Sequence, residues 1–121
     1  MAKVIIVLVV IVLVFGGAIW QEIYAENTFN EFVTRIETIQ ENEELTIEDI
    51  NDLRDWWRPH HNILVSFMPH VQLSEVDKTL GELAGGIMAD DQKSATAQLN
   101  RLKATVESLA DMFNLRLNNI I

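Results

Sequence analysis

An uncharged apolar stretch, residues 4–20, most constrains what this chain can fold into. It contains no charged side chain and no side-chain amide. As an α-helix at about 1.5 Å per residue it is about 26 Å long, close to the bilayer hydrocarbon core of about 30 Å. Trp20 and Tyr24 follow at its end, where aromatic rings favour the headgroup layer. We therefore predict a transmembrane helix from about Lys3 to Tyr24, held in lipid by Val4, Leu8, Ile11, Phe15 and Trp20.

The charges that flank this stretch predict its orientation. Lys3 and the amino terminus are the positive charges before it, whereas Glu22 and Glu26 follow it with no basic residue until Arg35. Positive charge is retained on the cytoplasmic side of a membrane. We therefore expect a single-pass protein of the cell membrane, with the N-terminus in the cytoplasm and the rest of the chain outside.

A cleaved signal peptide is the main alternative to an anchor. A single lysine, an apolar core and the small residues Gly16, Gly17 and Ala18 imitate the three regions of such a peptide. The apolar run is longer than a usual signal core and continues through Ile19 and Trp20, which favours an uncleaved anchor. In both cases the bulk of the chain faces the same compartment.

The charge of the chain limits its partners. The formal net charge is −9, and without Lys3 the remainder is one unit more negative. Such a surface repels nucleic acid phosphates and anionic lipid heads, so we expect neither as a ligand. The partners expected are the bilayer, through residues 4–20, and another protein or a second copy of this chain.

After the anchor, apolar residues recur at alternating steps of three and four, as they do on one face of an α-helix. Amphipathic helices joined by short turns cannot bury such faces singly. We therefore predict an all-α protein with a transmembrane anchor over residues 1–24. Over residues 25–121 we predict an antiparallel bundle of about four helices whose first helix continues the anchor. The four apolar stripes are Ala25, Phe29, Phe32, Ile36 and Ile39; Ile47, Ile50, Leu53 and Trp57; Leu73, Val76, Leu80, Leu83 and Ile87; and Ala95, Leu99, Leu102, Val106, Leu109 and Phe113.

Capping and helix-breaking residues predict where the helices begin and end. Thr46 is a suitable N-cap, with acidic residues in the turn that follows it. Pro59 either breaks the second helix or kinks it, and the apolar face continues in phase to about Met68, which favours a kink. Ser74, with Asp77 three residues on, resembles a capping box for the third helix.

The last part of the chain predicts one more helix and an apolar tail. We expect the third helix to end near Met88 and the last helix to begin at Asp90 or Asp91. The end of the chain is more apolar than a free end ordinarily is, so we expect it to dock through Leu115, Leu117, Ile120 and Ile121.

Side chains that could bind a metal or a ligand are most concentrated at residues 55–61. Together with His70, this segment holds all three histidines. A metal site would use His60, His61 and His70. Neighbours on a helix point about 100° apart, however, and no recognised zinc spacing is present. We therefore expect no metal and no cofactor, with one histidine in a half-buried niche near Trp57 and the other exposed.

The sequence offers no catalytic group with a recognisable setting. There is no cysteine, which excludes thiolate chemistry and disulfides, and the serines fall on or beside predicted helices. Carboxylate pairs lie on helix faces expected to be hydrated, and no glycine-rich phosphate loop follows a strand. We therefore expect a protein that is not an enzyme.

The adjacent residues Trp56 and Trp57 suggest a contact site. Because neighbours on a helix face different directions, one ring enters the core and the other stays nearer the surface. A large exposed aromatic ring often marks an interaction site, although packing against a neighbouring helix or Arg58 is an equal alternative. The interaction residues predicted on this basis are Trp56, Trp57, Arg58, His60 and His61.

Three features together resemble a known family. They are a short N-terminal span, a helix bearing Trp57-Arg58 followed by His60-His61, and a Leu-Arg-Leu-Asn-Asn-Ile tail at residues 115–120. The family comprises small single-span membrane proteins, mainly of Gram-positive, often spore-forming bacteria, and is catalogued as a domain of unknown function. The resemblance covers nearly the whole chain, with Pro59 where the family has a lysine-like residue. It implies a cell-envelope location.

Three classes of function fit these features. The first, which we favour, is a non-catalytic, membrane-anchored extracytoplasmic module that binds another envelope protein or itself. The second is a ligand- or metal-binding sensor domain that uses residues 56–61 and signals through a partner. The third is a filament subunit with the apolar helix in the fibre core. Filament subunits of the pilin type usually carry a glutamate inside the apolar stretch, and residues 4–20 have none.

Overall fold

The structure, a computed structural model, describes residues 1–120, with the side chains of residues 114 and 116–120 outside that description. It contains four helices: α1 (Ala2–Gln40), α2 (Ile47–Leu64), α3 (His70–Met88) and α4 (Gln92–Ile120). No strand occurs within residues 1–120. The predicted all-helical fold with one long apolar N-terminal helix is confirmed.

α1 is one uninterrupted helix with two different surroundings. Every residue from 1 to 20 is exposed, so the apolar side chains there are not buried against the rest of the protein. By length and composition this helix can cross a membrane near the N-terminus. Beyond residue 24 one face of α1 is buried, through Ala25, Thr28, Phe29, Phe32, Ile36 and Ile39.

α2 begins as the capping pattern predicts. The Thr46 hydroxyl accepts a hydrogen bond from the Asp49 backbone N–H at 3.2 Å, which satisfies one of the free donors of the first turn. Pro59 lies inside α2 without ending it, so the prediction of a single helix through this position is confirmed. The helix ends at Leu64, before the expected Met68, and hydrogen-bonded turns over residues 65–68 lead into α3.

The predicted capping box of α3 is wrong. α3 begins at His70, and Pro69 with an extended ψ of 130° precedes it. Ser74 and Asp77 therefore lie inside the helix. Proline has no N–H and a fixed φ, so it favours a helix start directly after it. The helix therefore begins directly after Pro69 and not at the capping pattern several residues later.

The junction between α3 and α4 follows the prediction closely. α3 ends at Met88, and Asp90 has a φ of 58°, a left-handed conformation in which the chain leaves the helix. The Asp91 carboxylate accepts a hydrogen bond from the Ser94 backbone N–H at 3.0 Å. Of the two residues predicted to begin the last helix, Asp91 is the N-cap.

The core is formed by all four helices and follows the predicted apolar stripes. Every stripe residue is buried except Ile47 and Ile87, which are half-buried. Phe29 of α1 stacks on Phe113 of α4, with ring centroids 5.8 Å apart. At the other end of both helices, Gln40 donates a hydrogen bond to Asn100 at 2.7 Å.

The predicted docking of the C-terminal tail is wrong at Leu115. This side chain is 64% exposed, because the buried face of α4 reaches Phe113 and Leu115 falls outside that face. The side chains of Leu117, Ile120 and Ile121 lie outside the described part of the chain.

Candidate interaction site

The predicted site, residues 56–61, divides between two faces of α2. Positions four apart on a helix lie above one another, whereas neighbours point about 100° apart. Trp56 and His60 accordingly face α1, and His61 faces α3. The Trp57 ring lies between the two, packing on Phe29 and Phe32 of α1 while its Nε1–H reaches α3. Arg58 is exposed between them.

The face toward α1 is an aromatic contact zone. The Trp56 ring packs edge-on against Phe32 at 5.3 Å, and the Arg35 guanidinium lies 4.8 Å above its centroid. The His60 ring is 4.6 Å from Trp56, and its Nδ1 atom is 2.6 Å from the Tyr24 hydroxyl. Trp56 is therefore half-buried and covered by its neighbours, so little of its ring is left for a partner.

The face toward α3 is centred on the Asp77 carboxylate. Trp57 is only 3% exposed, and its Nε1–H donates a hydrogen bond to Asp77 Oδ1 at 2.8 Å. The other carboxylate oxygen, Oδ2, lies 3.1 Å from His61 Nε2, but the ring is not aligned for a hydrogen bond. That contact therefore brings the two side chains together without a hydrogen bond. Asp77 thus connects two residues of α2 to α3.

An open groove lies beside this carboxylate, which we call the Arg54–Arg58 groove. It has a volume of about 250 Å³ and is lined by Arg54, Trp57, Arg58, His61, Asp77 and Leu80. Arg54 and Arg58 are exposed, one helical turn apart. Neither forms an ion pair with any residue of the described chain, whereas Arg35 and Arg101 each contact glutamates. The groove therefore presents two free guanidinium groups.

The structure changes the roles of the predicted interaction residues. Trp57 is a core residue rather than a contact residue. Both His60 and His61 are half-buried, so the expectation that one of them is exposed is wrong. Each ring instead packs beside the tryptophan one turn earlier. Of the predicted set, Arg58 and His61 line the groove, and Trp56 and His60 face α1.

The three histidines are not gathered at one point. His60 and His61 are turned to different helices, and His70 is exposed at the start of α3. Within residues 1–120 the structure contains no group of three or more His, Asp or Glu side chains that could hold a metal ion.

Sequence reasoning missed three contributors to this region. Arg54 precedes Arg58 by four residues, and this spacing was a usable signal that both lie on one face. Asp77 gave no such signal, because its partners are far away in the sequence and its local pattern resembled a cap. The contact between the Arg35 guanidinium and the Trp56 ring gave no signal either, because it depends on how α1 and α2 pack.

Comparisons with protein-family models, with curated proteins and with solved structures found no match. The resemblance to the family of single-span membrane proteins therefore stays a prediction. The function has to be inferred from the geometry of this chain.

Proposed function

We propose that this protein is a non-catalytic, membrane-anchored interaction module of the bacterial cell envelope. Residues 1–24 anchor it in the cell membrane with the N-terminus in the cytoplasm. Residues 25–121 form an antiparallel four-helix bundle outside the cytoplasm. The proposal is supported by α1, which is apolar and unburied up to residue 20 and contributes a core face from Ala25 onward.

The interaction role is inferred mainly from the Arg54–Arg58 groove. Two exposed guanidinium groups without ion pairs stand out on a chain whose net charge is −9. Guanidinium groups bind carboxylates and phosphates through paired hydrogen bonds. The bound group is therefore an anionic group that the partner presents to the groove.

The size of the groove favours a protein partner over a free small molecule. Pockets that enclose small-molecule ligands measure about 300–1,000 Å³, and this groove measures about 250 Å³ and is open to solvent. It has room for a side-chain carboxylate or a phosphate group on a larger surface. The partner is another envelope protein or a second copy of this chain.

A sensor domain is the second candidate, because the same groove could hold a free small anion. A metal cation is disfavoured there, since the two guanidinium groups would repel it. Binding of inorganic phosphate by the purified full chain, measured by calorimetry without any protein partner, would favour the sensor.

Crosslinking in native membranes followed by mass spectrometry tests the interaction role. The informative variant is the pair Arg54→Glu and Arg58→Glu, and its control is Lys78→Glu with Lys93→Glu, two exposed lysines outside the groove. Both pairs change the net charge equally. We expect the crosslinked partner to be lost only from the arginine variant. If a folded arginine variant keeps every crosslink, the groove is not the contact surface.

Protease accessibility tests the orientation separately. Asp90 lies in the exposed turn between α3 and α4, so a protease added outside intact cells is expected to cut there once the cell wall is removed. Protection of this turn in cells, with cutting after lysis, would contradict the proposed orientation.

A further inference from the structure

The turn that joins α2 to α3, taken with the helix ends on either side of it as residues 63–71, exposes apolar side chains at one end of the bundle. Val71 is 80% exposed, Ile63 41% and Val65 40%. Beneath them Leu64 and Met68 are buried, and the Met68 N–H donates a hydrogen bond to the Leu64 carbonyl at 2.9 Å. The exposed apolar groups are therefore held on a fixed surface.

The contacts of α2 bring this turn next to the apolar half of α1. Trp56 packs on Phe32, whereas His60, one turn later, contacts Tyr24. α2 thus approaches the apolar half of α1 as it proceeds, and one more helical turn adds about 5.4 Å in that direction. The end of α2, residues 63 and 64, consequently lies toward the level of Trp20, where the apolar half of α1 ends, and the turn into α3 follows it at this end of the bundle.

The turn is also free of negative charge. Residues 56–74, which include it, are the longest stretch of residues 25–121 without Asp or Glu. The acidic groups that give the chain its net charge lie elsewhere, including residues 41–44 and Asp90 and Asp91 beyond the other end of α3. The turn itself therefore adds no negative charge at this end, where the acidic groups near Trp20 are Glu22 and Glu26 of α1.

We propose that residues 63–71 sit in the headgroup layer of the membrane that α1 crosses, as a second attachment of the bundle. This inference rests on the proposed anchorage of α1. Exposed apolar side chains on a turn without acidic groups are suited to the boundary between headgroups and acyl chains. Two attachments stop the bundle from turning about the anchor, so the Arg54–Arg58 groove keeps one direction relative to the membrane.

The absence of cysteine allows a direct test with the full chain. Single-cysteine variants Val71→Cys and Met88→Cys are labelled with an environment-sensitive fluorophore. The labelled protein is reconstituted into vesicles of equimolar phosphatidylcholine and phosphatidylglycerol. Val71 and Met88 are 80% and 77% exposed apolar residues at opposite ends of α3, so they form a matched pair. Val12→Cys, in the apolar half of α1, reports on the anchor.

Lipids that carry a nitroxide near the headgroup or deep in the acyl chain quench labels at those depths. We expect the shallow nitroxide to quench the label at Val71 and to leave Met88 unaffected, and the deep nitroxide to quench Val12. If Val12 is quenched but Val71 is not, or if Val71 and Met88 are quenched equally, the second attachment is refuted and the anchor stands. If Val12 is not quenched, the anchorage and this inference both fail.

Discussion

The hydrogen bond between Trp57 and Asp77 gives the sharpest prediction about stability. Trp57 is 3% exposed, and its Nε1–H donates to Asp77 over 2.8 Å. Asp77→Ala removes the acceptor and leaves the donor unpaired, which costs about 1–3 kcal/mol at a buried site. Because 47% of the Asp77 side chain is exposed, water enters the space left behind. We therefore expect a loss near the lower end, about 1–2 kcal/mol.

Thermal unfolding of the full chain in lipid nanodiscs, followed by circular dichroism, measures this loss. For a domain of about 100 residues, 1 kcal/mol lowers Tm by about 4–8 °C, so Asp77→Ala is expected to lower it by about 4–16 °C. Asp77→Asn is the matched control, because it keeps an oxygen acceptor and loses only the charge near His61. The asparagine still offers an oxygen to the indole N–H, so this control should unfold close to the wild type.

A double-mutant cycle decides whether the hydrogen bond is the cause. Trp57→Phe removes the donor and keeps an aromatic ring in the core. In that background Asp77→Ala has no donor to leave unpaired, so its effect should largely disappear. An undiminished fall in Tm would refute the explanation and assign the effect of Asp77 to helix packing or charge.

Three further substitutions test local features of the helices by the same unfolding measurement. Thr46→Ala removes the cap on the Asp49 N–H and should cost about 1 kcal/mol. Gly81→Ala should stabilise α3 by up to about 1 kcal/mol, because an added Cβ would meet no atom within 4 Å. Gly86→Val should cost about 1–3 kcal/mol, since even a Cβ there lies 3.4 Å from the Ala95 backbone nitrogen. A stabilising Gly86→Val would contradict the close approach of α3 and α4.

The fold was predictable because its main determinant is periodic. Apolar residues at steps of three and four identify a helix and its buried face together, and this identified most of the core. Local caps were predictable where the cap and its partner are neighbours, as at Thr46 and Asp91. The start of α3 could not be predicted in the same way. Pro69 and the capping pattern at Ser74 favour different first residues for the helix, and the sequence pattern does not say which of the two decides.

The candidate site was predictable only in part, for a related reason. The 100° step between neighbours predicts that Trp56 and Trp57 face different directions. It does not predict which helix each ring meets, since that depends on how α2 packs between α1 and α3. Asp77 and Arg35 enter the site through that packing. Sequence reasoning therefore found the segment but not the groove.

The division of α1 into an exposed apolar half and a half with a buried face leads to a final prediction. Phe29 is fully buried between Trp57 and Phe113, so Phe29→Ala should cost about 3–5 kcal/mol. Domains of this size have a total stability of about 5–15 kcal/mol. The bundle should therefore lose much of its stability and its near-ultraviolet dichroism. Because residues up to 20 have no buried contacts with the bundle, the variant should still remain in the membrane after alkaline extraction.

Val12→Ala is the converse control, since Val12 is 69% exposed and lies in the apolar half of α1. It should leave the Tm of the bundle unchanged. In the proposed anchorage lipid stabilises one half of α1, whereas the protein core stabilises the other, so each substitution should affect only its own half. Release of Phe29→Ala from the membrane, or an equal fall in Tm for Val12→Ala, would show that the two halves do not fold independently.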